Sequence, residues 1–424
     1  MKEELLHYIW KYKLFYKTKL YTSDKTEIQV ISVGVHNMDA GADFFNSKIK
    51  IGDQLWAGNV EIHLKSSDWY VHHHEKDENY DNVILHVVWE DDVNVFNKEN
   101  NSIPTFELKN YVSKELLNTY KKLFSKPQKW INCENSISLV DRFSIDNWLE
   151  RLYIERLEIK ANFIEGLLKK TKFNWEEVLF QLLAKNFGLK VNSDVFFRMA
   201  LSVDFNVLKK ERQNNFRLES LLFGRLNMLN EDSEEVYFNR LKKEYSYQLK
   251  KHQLSADSQI MAQYFRLRPM NFPTIRISQF VNLMCEYQQL FSKLMELEKL
   301  TDFYNLFTDI STTEFWETHY TFNKESKKRV KKITKSFVDL LLINTILPLK
   351  FVYLKHHDAL DISKFMVLIK ELKPEKNNVI DRYARLKLTA NNALETQALL
   401  QLKNEYCAPQ KCLKCAIGNY LLKN

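Results

Sequence analysis

Apolar residues recur at helical spacing at the start of the chain. Over residues 2–15, Leu5, Ile9 and Tyr12 share one face, with Leu6 and Trp10 beside them, which predicts a first helix. The period then drops to two. Residues 27–33 alternate through Ile28 and Val30 and regain an apolar position after a one-residue irregularity. Residues 44–51, 54–65 and 82–90 read as further strands, and 105–112 as a weaker one before a helix over 114–124. Helix, strands, then a later strand and helix is an α/β order. From residue 145 the period is helical again: Trp148, Leu149 and Leu152 follow Ile145 at i+3, i+4 and i+7, and Trp175, Val178, Leu179, Leu182 and Leu183 repeat the pattern. The regimes change at 125–135, around Pro127 and Trp130, so the expected division is an α/β domain over 1–126 and a predominantly α-helical region over 127–424. The apolar run 337–354 is interrupted by Asp339, Asn344, Pro348 and Lys350, and reads as a buried helix, not a membrane span.

Most candidate chemistry lies between residues 41 and 90. In a strand over 60–65, Val60, Ile62 and Leu64 face one side and Glu61, His63 and Lys65 the other. Asp43 lies on the preceding strand, with turn signals at Gly52-Asp53 and Gly58-Asn59 between them, so adjacent strands could bring Asp43 and Glu61 together. Two carboxylates with backbone and water oxygens suit Mg²⁺ or Mn²⁺, and such an ion orients or activates water. His72, His73, His74 and Asp77 follow in a polar stretch and invite a zinc reading, with His63 and His86 as additions, although three consecutive histidines point different ways. His86, between Ile84 and Val88, otherwise reads as a hydrogen-bonded core histidine.

An Asp at a strand start, followed on the next strand by an acid and then a base, resembles the PD-(D/E)XK core of restriction-endonuclease-like nucleases. The resemblance implies that fold for the N-terminal part, with Asp43 and Glu61 as metal ligands. His63 stands at the family's Lys position, Lys65 two residues later, and Ala42 where the motif has Pro. The motifs G-x-D-F, V-E-I-H-x-K-x-S-D-W, N-V-I-L-H-V-V, R-L-R-P-x-N-F-P-T-I-R and C-L-x-C-x-I-G further resemble an uncharacterised bacterial family of unknown function, which implies no activity.

In the helical part, Pro269 and Pro273 force an extended connection carrying Arg266, Arg268 and Arg276, whose guanidinium forks suit phosphate. As plainly, such arginines hold helix ends. Lys327, Lys328, Arg329, Lys331 and Lys332 form a basic cluster of the kind that tracks polyanions, or else a solvated helix face. Near the C-terminus Cys407, Cys412 and Cys415 fall within nine residues; thiolate softness favours Zn²⁺ or an iron-sulfur cluster, with Cys133 the best distant fourth ligand and Cys285 a packing residue. One distant and three late cysteines resemble the iron-sulfur staple of some PD-(D/E)XK nucleases, at a different spacing.

Composition adds bounds. With 45% hydrophobic residues, only 8 Gly and 7 Pro, long disorder is excluded. A net charge of +8 permits a nucleic-acid partner, DNA favoured, without demanding one. Five cysteines and no signal-like segment point to a reducing, cytoplasmic setting and no membrane partner. The expected function is metal-dependent hydrolysis of nucleic-acid phosphodiesters through Asp43 and Glu61, with His63 or Lys65 steadying water or charge. The alternatives are a nuclease-like fold that binds nucleic acid without turnover, and a zinc hydrolase built on the His-rich stretch.

Overall fold

The computed structural model describes residues 1–16, 19–37, 39–124, 129–255 and 260–423. The chain divides into two compact units. The first comprises Met1–Trp148, Arg385–Leu388 and Gln401–Asn424; the second Leu149–Ala384 and Thr389–Leu400. The C-terminal cysteines, expected with the helical region, therefore belong to the first unit. The expected boundary at 126/127 lies outside the described residues.

The first unit is built on a mixed sheet. Helix α1 (Glu3–Lys11) has Glu3 and Glu4 in its first turn and Lys11 in its last, the charge order its dipole favours, and buries Leu5, Leu6, Ile9 and Trp10. Strands β1 (Leu20–Tyr21), β2 (Glu27–Ser32), β3 (Val35–His36), β4 (Phe44–Ile51), β5 (Gln54–Lys65), β6 (Val83–Glu90) and β7 (Thr105–Glu107) pair in the order β1-β2-β4-β5-β6-β7, with β3 also on β4. The β2-β4 register slips between Val30 and Ser32, where the sequence alternation falters. β4 and β5 form a hairpin closed at Gly52, whose φ of 56° suits a two-residue turn. Gly58 is no turn: a Cβ there would lie 2.4 Å from Ile84 Cγ2 and 2.7 Å from the Asn82 carbonyl, so the glycine lets β6 approach β5. β6 runs parallel to β5 and β7 parallel to β6. The crossover from β5 to β6 carries the short helix α2 (Asp68–Val71) and two 3₁₀ turns. Residues 105–112 hold only the short β7; Leu108 turns into the core and the chain continues as a 3₁₀ turn to Tyr111. Val60, Ile62, Leu85, Val87 and Phe106 pack with α1 and with Leu116, Tyr120 and Leu123 of helix α3 (Lys114–Phe124).

The second unit is mostly helical. Its residues begin within helix α4 (Arg142–Lys170). Lys335–His356 is long and apolar enough to cross a membrane, but 72% of its apolar window is buried within the protein. Pro348 lacks the N–H that would close an α-turn, and the helix widens just before it into a π-turn, Leu342–Ile346. Lys160 uses the loosened turn: its Nζ donates to the Ile343 carbonyl and to Asn344 Oδ1, each at 3.1 Å.

Burial, and then the Arg156 charge, push the Lys160 ammonium down to about 7. Between that pH and the ordinary lysine range the unfolded chain keeps a proton the folded chain has lost, so stability should rise with pH there, by at most about 1.4 kcal/mol per unit. Thermal unfolding of wild type and Lys160→Met from pH 6 to 10 measures this. Wild type should gain in midpoint relative to the variant above pH 7, and parallel curves would remove Lys160 as the cause.

Candidate metal centre

β5 places its two kinds of side chain on opposite faces. Val60 and Ile62 enter the core, while Glu61 and His63 enter a second buried layer under the crossover. That layer is sealed by a small apolar cluster of Ala42, Trp69, Val83, Val95 and Ile103. Both faces of the strand centre are thus out of water, and Glu61 and His63 must find partners inside the protein.

His73 adopts a left-handed backbone, φ 60°. This reversal turns the chain so that His72 and His74, which flank it, both reach His63. Their donor atoms all lie within 4.8 Å, a convergence that periodicity along three consecutive residues does not predict. His63 Nε2 is 3.1 Å from His72 Nδ1, and Glu61 Oε1 is 3.5 Å from His63 Nε2 and 3.4 Å from His74 Nε2. A tetrahedral ion with bonds of about 2.0–2.1 Å spaces its ligands at about 3.3–3.4 Å. The three separations bracket that edge. His74 Nε2 is buried with no hydrogen bond of its own. His63 Nδ1 lies 2.9 Å from His86 Nε2, an outer contact that can fix the tautomer and aim Nε2 at the other donors. His74 stacks on Tyr80 at 3.7 Å, whereas His72 is exposed and opens the group to solvent.

Asp43 and Glu61 meet, through the backbone. The Asp43 N–H donates to Glu61 Oε2 at 3.0 Å, and the Ile62 N–H donates to Asp43 Oδ2 at 2.9 Å. Asp43 Oδ2 is also 3.2 Å from His7 Nε2 on α1, so Glu61 faces the histidines with one oxygen and the Asp43 backbone with the other. His7 escapes sequence reasoning, because a polar residue beside buried helical positions is only a weak signal.

The electrostatics follow from burial. Desolvation, and then the Asp43 charge, push the Glu61 carboxyl up to about 9. Desolvation first, and then the neighbouring His86, His74 and His72, push His63 down to about 2, and desolvation with His74 brings His86 to about 3. His74 is likewise lowered by burial. Burial works against a charge on His7, but its bond to Asp43 and the Asp43 and Glu3 charges raise it overall. The buried histidines His63, His74 and His86 are held neutral, the state in which imidazole binds metal, and a dication beside Glu61 would reverse the penalty on its charge. Nitrogen-rich donors suit zinc-like ions better than Mg²⁺ or Mn²⁺.

Several expected site residues lie elsewhere. Lys65 is exposed at the strand end, its Nζ 3.9 Å from Asp92 Oδ2, because β5 leaves the buried layer after His63. Arg276 is buried, its guanidinium donating to Asn271 Oδ1 at 2.6 Å and Gln279 Oε1 at 2.9 Å over the Phe337 ring. Lys331 is buried, its Nζ donating to the carbonyls of Trp316, Glu317 and His319. Both cations are consumed by internal acceptors, which corrects their assignment to a phosphate-facing surface. Arg266 and Arg268 lie toward the surface, as do Lys327, Lys328, Arg329 and Lys332, which occupy an irregular segment after a two-stranded hairpin, not a helix. Cys133, Cys407, Cys412 and Cys415 border one cavity in the first unit, while Cys285 lies in a helix of the second.

No curated protein and no solved structure matches the chain. A family model described as "Protein of unknown function (DUF2851)" matches residues 3–378. With nearly the whole chain inside that match, the protein belongs to the DUF2851 family.

Proposed function

We propose that the first unit is a metal-dependent hydrolase of phosphodiesters, with His63, His72 and His74 holding a zinc-like ion beside Glu61. The observation that carries this reading is the convergence of His63, His72 and His74, whose donor atoms all lie within 4.8 Å of one another, with Glu61 Oε1 at 3.5 Å from His63 Nε2 and 3.4 Å from His74 Nε2. When bound, such an ion polarises a phosphoryl oxygen and lowers the pKa of water. His63 is oriented by His86, and the exposed His72 leaves a side open for substrate. Glu61 would complete the ligand set or accept a proton from water.

Asp43 just before β4, Glu61 on the antiparallel neighbour β5, α1 packed on the sheet and a parallel crossover to β6 are compatible with the order of a PD-(D/E)XK core. The donors that converge are nevertheless histidines with Glu61, so metal chemistry at this site departs from the two-carboxylate pattern. Nucleic acid, DNA first, is the proposed substrate class; its support is the +8 charge and the surface cations Lys327, Lys328, Arg329 and Lys332.

Two outcomes are expected. Purified chain should bind about one zinc or comparable divalent ion per histidine site, and His72→Ala with His74→Ala should weaken that binding at least ~100-fold by titration, because two of its three imidazoles are gone. Hydrolysis of bis-p-nitrophenyl phosphate and of DNA should follow the metal and fall at least ~100-fold in Glu61→Gln. Unchanged metal binding in the double variant would sink the centre. Metal binding without hydrolysis of either substrate would sink the enzymatic reading and leave a binding protein.

Replacing Lys327, Lys328, Arg329 and Lys332 with Gln should weaken DNA binding about equally across sequences. It should also flatten the log-log salt dependence, by roughly 0.9 of a slope unit for each phosphate no longer neutralised. Equal affinity and slope in both chains, measured by fluorescence anisotropy, would return the segment to an ordinary solvated surface.

A further inference from the structure

Four of the five cysteines gather at one place in the first unit. Cys133, Cys407, Cys412 and Cys415 line one small cavity with Asn132 and Gly418. No disulfide joins them. A buried cysteine usually serves as a small apolar side chain, and Cys285 in the second unit fits that role. Four thiols drawn from stretches more than 270 positions apart do not, because packing alone gives no reason to place cysteine at four positions around one cavity that Leu123 and Tyr406 also line.

The backbone around the cavity is shaped to deliver them. Cys133 sits in a tight turn whose carbonyl accepts from Ser136 at 2.9 Å and Ile137 at 2.8 Å. Cys407 ends a π-turn, Leu402–Cys407, an uncommon element frequent at functional sites. Cys412 opens a 3₁₀ turn and Cys415 immediately precedes the helix Ala416–Lys423. Gly418 of that helix lies against the turn so closely that a Cβ would stand 2.1 Å from the Cys412 carbonyl, so only glycine permits both sulfurs to face one cavity. A donor aims at one of the sulfurs: Asn132 Nδ2 lies 3.4 Å from Cys412 Sγ. N–H donors to sulfur are the outer contacts that stabilise metal-bound thiolates and tune clusters.

We propose that Cys133, Cys407, Cys412 and Cys415 form a tetrathiolate site for a thiophilic metal centre, an iron-sulfur cluster or a single zinc ion. It is separate from the histidine centre and does not rest on it. Thiolates around one zinc stand about 3.8 Å apart, from bonds of about 2.3 Å. Among the described residues only the histidine trio has all its donors within 4.8 Å, so the sulfurs are spread more widely than one zinc requires. A cluster, with several irons and bridging sulfides between the thiolates, accommodates the wider spread.

The test uses the full chain, made with iron and purified without oxygen, and measures iron, acid-labile sulfide and zinc. All cysteine variants are made in the His72→Ala/His74→Ala background so that the histidine centre contributes no metal; that parent and its Cys285→Ser derivative should each retain about four irons with equal sulfide, or else about one zinc, per chain. Cys133→Ser and Cys412→Ser should each bring that metal down at least ~five-fold. Iron with sulfide identifies a cluster and zinc alone identifies the single ion; either supports the tetrathiolate site. Retention of all metal in the two serine variants overturns it, as does a parent chain with only traces. Should the serine variants fail to fold, cobalt(II) added to chelator-stripped wild type decides. Sulfur-to-cobalt charge-transfer absorption is expected, and its absence overturns the proposal.

Discussion

The cost of burying Glu61 and His63 governs the first unit. Strand geometry puts them opposite Val60 and Ile62, and the sheet needs the apolar pair inside. If the other face were open to water the polar pair would cost nothing. Instead the crossover closes over it with Trp69, and an isolated carboxylate or imidazolium there would be penalised by several kcal/mol. The surroundings respond with donors and acceptors: His72, His74, His86 and the Asp43 backbone. The bond from the Asp43 N–H to Glu61, the bond from the Ile62 N–H to the Asp43 carboxylate, and the left-handed turn at His73 are consequences of that single requirement.

Much of this was legible in the chain and some was not. The strict alternation of residues 60–65 revealed β5, and the faltering alternation near Ile31 marked a real register slip. The meeting of Asp43 with Glu61 followed from a recognisable two-residue turn at Gly52. Convergence of His72 and His74 was not legible, because it depends on one backbone reversal at His73 and on a β-strand contributed from elsewhere. Spacing rules treat consecutive residues as diverging, and a left-handed residue breaks that rule locally. Gly58 misled in the opposite way: read as punctuation, it is a point of close backbone approach.

Charge was the least transparent signal. Arg276 and Lys331 look in sequence like members of exposed basic clusters, yet each satisfies backbone or amide acceptors in the interior. Lys350 does the same, its Nζ donating to the carbonyls of Met295 and Leu297. Irregular segments between helices leave carbonyls without intrahelical partners, and a long cationic side chain reaches them at modest entropic cost. The number of lysines and arginines therefore overstates the charge the second unit presents to solvent.

The first unit is discontinuous along the chain: its part Gln401–Asn424 follows the whole of the second unit. During synthesis the ribosome consequently releases α1, the sheet and α3 long before the closing segment with Leu422 can cover their shared core. The second unit, by contrast, is fully emerged once Leu400 has left the exit tunnel, and domains generally fold as units in order of emergence. The half-finished sheet unit must wait, with apolar surface uncovered, while its guest completes. That interval is the chain's period of greatest exposure to chaperones, and premature termination just after Leu400 would leave a finished helical body attached to an unclosed sheet.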